Sequence, residues 1–475
     1  MIRFFNTFGR KIEEFKPMVA GKVKMYTCGP TVWNYPHIGN YRTFLFEDML
    51  RRFLEYRGFK VTQVMNLTDV DDRIISIVSK ENIELRDFTE KYVASFFEDI
   101  DFLGIERAEA YPRATDHIPE MVRIIERLLQ TGVAYRSEDG SIYFSIAKYP
   151  RYGTLSGLNI SELKAGARVR QDDYDKTAAQ DFALWKSWDE KDGKVYWDTS
   201  LGKGRPGWHI ECTAMAMKYL GQHFDIHTGG VDNIFPHHEN EIAQSESFSG
   251  EKFVNYWMHS EHLLINEAKM AKRLGNEITI RNLRSRGLDG FSIRFFLLSG
   301  HYRAQLNFTE QSIDQASASV KRINEFVSRL NEKLVESDES ETDSSVAAKI
   351  ENVRSSYIDA LENDLDSPAA LAIVFDFISN GNRLLDEGRL SKSDIRLMLE
   401  FMSNDFNKIF GVIHPVLSTS ELSVEIRTLL QERENARKNK DWKRSDGLRE
   451  KLLNLGIEVQ DTPEGQRWRR TLSSH

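Results

Sequence analysis

Val23-Lys24-Met25-Tyr26-Thr27-Cys28-Gly29-Pro30 is the stretch whose reading decides the fold. Its apolar run reads as a buried strand that ends at Cys28 and a Gly-Pro break. Residues 41–57 then carry Phe44, Leu45, Met49, Leu50, Phe53 and Leu54 at helical spacing, with Gly58 as the stop. Lys60-Val61-Thr62-Gln63-Val64-Met65-Asn66-Leu67 returns to strand character. Strand, helix and strand in this order predict an α/β protein with a parallel sheet. Such sheets bind ligands at the carboxyl ends of their strands. Cys28 stands at one such end and Thr68-Asp69-Val70-Asp71-Asp72 at another.

Further along, residues 116–131 read as a helix. The segment from about 133 to 203 is rich in tyrosine and turns and reads as an insertion, after which the helix–strand pattern resumes over 208–250. From about 309 to about 410 the chain is mainly helical. Within that span Glu336-Ser337-Asp338-Glu339-Ser340-Glu341-Thr342-Asp343-Ser344-Ser345 is acidic and polar and is expected to be a mobile loop. The last 55 or so residues gather Arg433, Arg437, Lys438, Lys440, Lys443, Arg444, Arg449 and Lys451, with Arg467-Trp468-Arg469-Arg470 near the end. The expected divisions are 1–115 and 204–252 for the two catalytic halves and 116–203 for the insertion. A segment 253–308 carries a basic loop, 309–415 is a helical bundle, and 420–475 is a small terminal domain.

The 475 residues allow about three domains and a large core. The formal charge of −8 means that a nucleic-acid partner would have to meet a local basic patch. Two widely separated cysteines make no disulfide framework and suit a reducing cytosol. The N-terminus lacks an apolar signal core, and no run approaches the roughly 20 apolar residues that span a bilayer. The expectation is a cytoplasmic protein without membrane contact.

Those two cysteines, Cys28 and Cys212, join Phe235-Pro236-His237-His238-Glu239-Asn240-Glu241 in a donor set suited to zinc: two thiolates, an imidazole and a carboxylate. His237 and Glu241 are four apart and share a face on a helix, which Pro236 would suit at its first turn. Two inert buried cysteines and a solvated histidine pair are the plainer alternative. Between the first strand and its helix lies Pro30-Thr31-Val32-Trp33-Asn34-Tyr35-Pro36-His37-Ile38-Gly39-Asn40. Its glycine admits close ligand approach, and His37 could stabilise charge on a transferring phosphoryl or adenylyl group. A histidine that merely caps the helix fits equally well. Lys269-Met270-Ala271-Lys272-Arg273-Leu274-Gly275-Asn276 is either a pyrophosphate clamp or a solvated basic turn.

Taken together, these pieces resemble the cysteine–tRNA ligases, the class I cysteinyl-tRNA synthetases. Pro36-His37-Ile38-Gly39-Asn40 resembles the first class I signature, and Lys269-Met270-Ala271-Lys272-Arg273 resembles the second, a Lys-Met-Ser-Lys-Ser loop. The likeness spans nearly the whole chain. It runs through Thr27–Val32, Asn66–Asp72 and Gly204-Arg205-Pro206-Gly207-Trp208-His209-Ile210-Glu211-Cys212, then Gly229-Gly230-Val231-Asp232 and Phe235–Ser245. Leu297–Arg303 and Asp461–Arg470 complete it.

The resemblance implies a Rossmann-like catalytic domain with an insertion, followed by a helical bundle and a small anticodon-binding domain. It implies a monomer that joins L-cysteine to tRNA(Cys) with ATP and Mg2+, and one zinc per chain on Cys28, Cys212, His237 and Glu241. Thr68, Trp208 and His227 match the cysteine pocket. Gly39, Gly230, Asp232 and Lys272 match ATP contacts, and His37, Asn40, Lys269 and Lys272 match the groups that hold charge during activation. Arg437, Asp446 and Asp461 match readers of the anticodon. Asn40 replaces a second histidine, while Ala271 and Arg273 replace both serines of the loop and are expected to alter its closure rate. A related ligase acting on an amino-sugar, and a non-catalytic tRNA-binding paralogue, are the rival readings.

Overall fold

Four parallel strands, in the spatial order Val254–Ser260, Phe224–Gly230, Lys22–Thr27 and Lys60–Met65, form the sheet that positions everything else. The computed structural model describes residues 1–475 apart from 159–180, 271–275, 337–343, 416–423, 456, 463–464 and 471–475. Strand order reverses between Lys22–Thr27 and Phe224–Gly230, because the first strand's right-hand crossover leads away to Lys60–Met65 on its other side. A crevice opens at the carboxyl ends on either side of such a reversal. The Cys28 N–H donates to the Thr228 carbonyl at 3.3 Å, pinning the two strand ends together there.

Alternation along the first strand divides the interior. Val23 and Met25 join a large apolar cluster that includes Leu45, Leu50 and Phe53 of the first crossover helix and Ile313, Val320, Phe326 and Phe401 of the bundle. Tyr26 faces the opposite way, into a second cluster with Met121, Trp185, Ile210, Met215 and Phe224. The catalytic sheet is thus covered on both faces, as a parallel sheet requires.

The helix expected at 41–57 spans Ile38–Tyr56. It begins earlier because His37 and Asn40 form a reciprocal capping box. The Asn40 N–H donates to His37 Nδ1 at 3.3 Å, and the His37 N–H donates to Asn40 Oδ1 at 3.0 Å. The expected helix at 116–131 is a short 3₁₀ turn, Ala114–His117, running into Ile118–Gln130. The insertion is an antiparallel sheet ordered Ala134–Arg136, Ile142–Phe144, Phe182–Ser187, Gly202–Pro206 and Trp197–Thr199.

Three expectations change. The insertion sheet runs past residue 203, because Trp185 and Lys186 pair with Pro206 and Arg205. The parallel sheet runs past residue 252, because Val254–Ser260 is its edge strand. No regular helix starts at Pro236: Phe235 is extended (φ −138°, ψ 130°), as a residue before proline prefers, and Ile234–His238 form a wide π-type turn ahead of the helix Glu239–Ser249. Glu336 and Ser344 end and begin flanking helices, and the acidic segment between them lies outside the described residues.

The bundle comprises the helices Glu310–Glu336, Ser344–Glu362, Ser367–Asp386 and Lys392–Glu400, with a terminal π-type segment Phe401–Asn407. Fully buried Arg294 joins it to the catalytic domain. Its guanidinium donates to the carbonyls of Phe410, Leu103 and Gly104 and to the Asp48 carboxylate. The terminal domain has a separate small core of Ile426, Leu430, Leu452, Ile457 and Val459, with Trp468 packed against it.

Candidate active site

A cavity of about 730 Å3 opens at the strand reversal. Its wall carries Cys28, His37, Gly39, Asn40, Thr68, Trp208, Cys212, Gly230, Asp232, His237 and Lys269, so most residues singled out in the sequence converge on one space. Two glycines make room by geometry. A Cβ on Gly29 would lie 1.8 Å from the Asn66 carbonyl oxygen, and one on Gly39 would meet the Met270 methyl at 2.4 Å.

At the floor, ligand atoms of Cys28, Cys212, His237 and Glu241 all lie within 4.8 Å of one another, and all four residues are buried. His237 Nε2 stands 3.4 Å from Cys212 Sγ and 3.1 Å from Glu241 Oε1. The wide turn therefore keeps the His237–Glu241 proximity that a regular helix would have given. Glu241 Oε1 is nevertheless buried without a hydrogen bond among the described residues. An orphaned carboxylate oxygen facing two thiols and an imidazole is the environment a thiophilic cation satisfies.

The electrostatics agree. Burial pushes the Cys28 thiol well above its usual value. A hydrogen bond from Cys28 pulls the Cys212 thiol down and burial pushes it up, with the balance upward. Burial raises the Glu241 carboxyl to about 8, against the pull of His237. Burial also lowers His237 to about 3, leaving a neutral imidazole ready to coordinate. With no cation the cluster holds its protons. A cation would replace them.

A second set, Cys28, His227, His238 and Glu241, overlaps the first. It lies deeper, since neither His227 nor His238 reaches the cavity wall. His227 was expected to line the cysteine pocket. It is completely buried, stacked on Trp257 with ring centroids 4.6 Å apart and with Nε2 3.1 Å from Glu241 Oε2. Glu241 is thus flanked by an imidazole at each oxygen. Trp208 does reach the cavity and stacks on His237 at 4.2 Å.

His37 combines its two sequence readings, capping the helix and lining the cavity. The backbone after the second signature lies against the first. The Ile38 N–H donates to the Ile278 carbonyl at 2.8 Å, and the Arg281 guanidinium lies 4.5 Å over the Tyr35 ring. Lys269 Nζ is 3.2 Å from His262 Nε2. Lys272 lies outside the described residues.

Other wall residues were given no role by the sequence reading, although Asp72, Arg205 and Glu211 lie inside the segments that carry it. Lys186 and Arg205 reach from the insertion sheet to the Asp72 carboxylate, at 2.8 and 2.7 Å. Burial pushes that carboxyl up, but the two cations outweigh it and hold it below its usual range. Glu211 is buried beside Thr68 with its Oε2 unpartnered among the described residues. Only tertiary placement makes these groups neighbours, so spacing along the chain could not have found them.

In the terminal domain, Arg437 on the helix Val424–Lys438 donates to Asp461 Oδ2 at 2.8 Å and lies 5.5 Å over the Trp442 ring. Asp446 is exposed on the next helix, Trp442–Asn454.

A sheet reversal lined by the first signature and by Lys269 and Met270 of the second fits the architecture of class I tRNA synthetases. Residues 14–318 match the tRNA synthetases class I (C) catalytic domain. The methionyl-tRNA synthetase of Mycobacterium tuberculosis bound by methionyl-adenylate shares the fold, with a TM-score of 0.62 at 13% identity over 86% of this chain and 94% of that one. Residues 419–469 match the cysteinyl-tRNA ligase anticodon binding domain. The cysteine–tRNA ligase of Brachyspira hyodysenteriae is 47% identical over 99% of both chains. That of Protochlamydia amoebophila is 45% identical over 99% of this chain and 98% of its own. The chain belongs to the cysteine–tRNA ligase family. No described helix is long and apolar enough to cross a membrane.

Proposed function

We propose that the chain activates L-cysteine with ATP to cysteinyl-adenylate and transfers it to tRNA(Cys). The observation that carries this reading is the floor of the cavity, where two thiols, an imidazole and an orphaned carboxylate oxygen converge at the sheet reversal. One zinc per chain, held by Cys28, Cys212, His237 and Glu241, would supply a thiophilic Lewis acid that prefers a thiolate to a hydroxyl and so refuses serine.

The chain's own groups do the rest. Trp208 stacks on His237 and walls the amino-acid subsite, with Thr68 beside it. His227 acts from beneath, orienting Glu241 rather than touching substrate. Gly39, Gly230 and Asp232 receive the adenosine, and Mg2+ accompanies the phosphates. As the cysteine carboxylate attacks the α-phosphate, His37, Asn40, Lys269 and Lys272 hold the growing charge. Positioning and electrostatics supply the rate, and no strong base is needed. The Lys186–Asp72–Arg205 network ties the insertion to the cavity rim, keeping the wall closed on that side. Arg437, Asp446 and Asp461 read the anticodon, and the molecule works as a cytoplasmic monomer.

Cysteine-dependent ATP–pyrophosphate exchange, followed by charging of tRNA(Cys), tests the reading. Exchange without charging would favour the amino-sugar ligase, against which the matched anticodon-binding domain argues. Absence of both would favour the non-catalytic paralogue.

A further inference from the structure

Arg433 is a side chain to which neither the signatures nor the tRNA reading gives a task. It lies on the helix Val424–Lys438, one turn before Arg437, and its side chain is 1% exposed. A cation at that depth in so small a domain is costly unless it is paired; both Nη atoms are held, while Nε has no hydrogen-bond partner among the described residues. Its guanidinium forks onto both Asp461 oxygens, Nη1 to Oδ1 and Nη2 to Oδ2, each at 2.9 Å. Nη1 also donates to Gln466 Oε1 at 3.0 Å, and Gln466 Nε2 donates back to the Leu430 carbonyl. Asp461 and Gln466 face each other across the terminal hairpin, so Arg433 is gripped by a cross-strand pair from beneath.

Two arginines therefore share one carboxylate in unequal ways. Arg433 holds it bidentately from the interior, and Arg437, 34% exposed, adds a single bond from the solvent side. Among the described residues three donors occupy Asp461, which leaves one of its roughly four lone-pair positions, on Oδ1, for an incoming N–H. The hydrogen bonds and charge of Arg433 come first among the effects that hold the Asp461 carboxyl below its usual range.

We propose that Arg433 is the positioning residue of the anticodon site: it fixes the plane of the Asp461 carboxylate and stays as its counter-ion when Arg437 turns to the nucleic acid. This rests on the reading of Asp461 and Arg437 as anticodon contacts. Without Arg433, Asp461 would keep Arg437 for itself, and both readers would lose their geometry together.

The test charges full-length protein with tRNA(Cys) transcripts bearing the native anticodon or single-base substitutions. Each rate is divided by that protein's own exchange rate. The variants are Arg433→Lys, Arg433→Met, Asp461→Asn and the Arg433→Met/Asp461→Asn pair. The contacts that Asp461 and Arg437 make together to one base are worth about tenfold or more in base discrimination. Arg433→Met should therefore lower the native-to-substituted ratio of kcat/KM about tenfold, Arg433→Lys should fall between, and the double variant should discriminate no worse than Asp461→Asn alone. If Arg433→Met and Arg433→Lys slow native and substituted tRNAs by the same factor, Arg433 only supports the domain and the proposal is overturned. A double variant whose losses simply multiply overturns it too. An Asp461→Asn protein with unchanged discrimination shows instead that the anticodon reading of Asp461 has failed, and the positioning role falls with it.

Discussion

Acidification should strip zinc from this protein unusually steeply. At about pH 7 the raised thiols of Cys28 and Cys212 both keep their protons. Glu241, raised to about 8, is about nine-tenths protonated there. His237, lowered to about 3, is neutral and has no proton to lose. Zinc binding thus displaces about three protons. All three groups are raised, so their protonated forms dominate below their folded values, and affinity falls as pH falls. Between about pH 7 and 6 the apparent dissociation constant should rise about 10³-fold, and above about pH 8, where Glu241 ionises unaided, the slope should relax toward about two. Competition with a chromophoric chelator across this range, corrected for the chelator's own protonation, reads the slope directly. Glu241→Gln should reduce it to about two below pH 8. A slope of one or less in the native protein would mean that thiols and carboxyl are already ionised, and the buried, orphaned floor described here would be wrong.

Cys212→Ser should lose metal and cysteine activation together, measured by metal analysis beside exchange; full exchange in metal-free protein would refute the assignment. Lys272→Ala should slow adenylate formation about 10²-fold or more with little change in cysteine affinity, because its charge matters most as the phosphates rearrange. A normal rate with weakened cysteine binding would point elsewhere. Deleting residues 425–475, whose core is separate, should leave exchange near normal while raising KM for tRNA strongly; charging as efficient as that of the intact chain would make the tail dispensable. Arg294→Met should cost about 2–3 kcal/mol, since it leaves Asp48 with Arg52 and the Glu106 N–H but strips the buried carbonyls of Phe410, Leu103 and Gly104 of a donor and empties a hub between domains. An unchanged Tm in calorimetry would show that the bundle docks without it.

The first βαβ unit was legible because its periodicities are local and strong: Val23 and Met25 alternate against Tyr26, and the Phe44–Leu54 stripe recurs at helical spacing. The floor of the site was legible for a different reason, since few residue types can serve as thiophilic ligands and the chain has only two cysteines. Helix starts were less so. The helix at Ile38 depends on a reciprocal cap between His37 and Asn40; a cap by His37 was one sequence reading, but Asn40's return bond was not. The turn at Ile234–His238 defeated the helical reading because a proline constrains the residue before it as well as its own position. His227 was matched to the pocket by motif, while its contact with Glu241 could be seen only in the structure. Lys186 and Arg205 meet Asp72 at the cavity wall only through long-range placement of the insertion sheet, and Arg433 shows its burial only once the terminal hairpin closes over it.

The raised thiols at the floor also bear on what happens when the metal is lost. Peroxides and disulfides are attacked by thiolates, and thiols react poorly with them. Burial keeps Cys28 and Cys212 in the thiol form when no cation is near. Metal-free protein should therefore resist sulfenylation and cross-linking long enough to be reloaded. If zinc is held there, its loss should then be reversible rather than the start of oxidative damage.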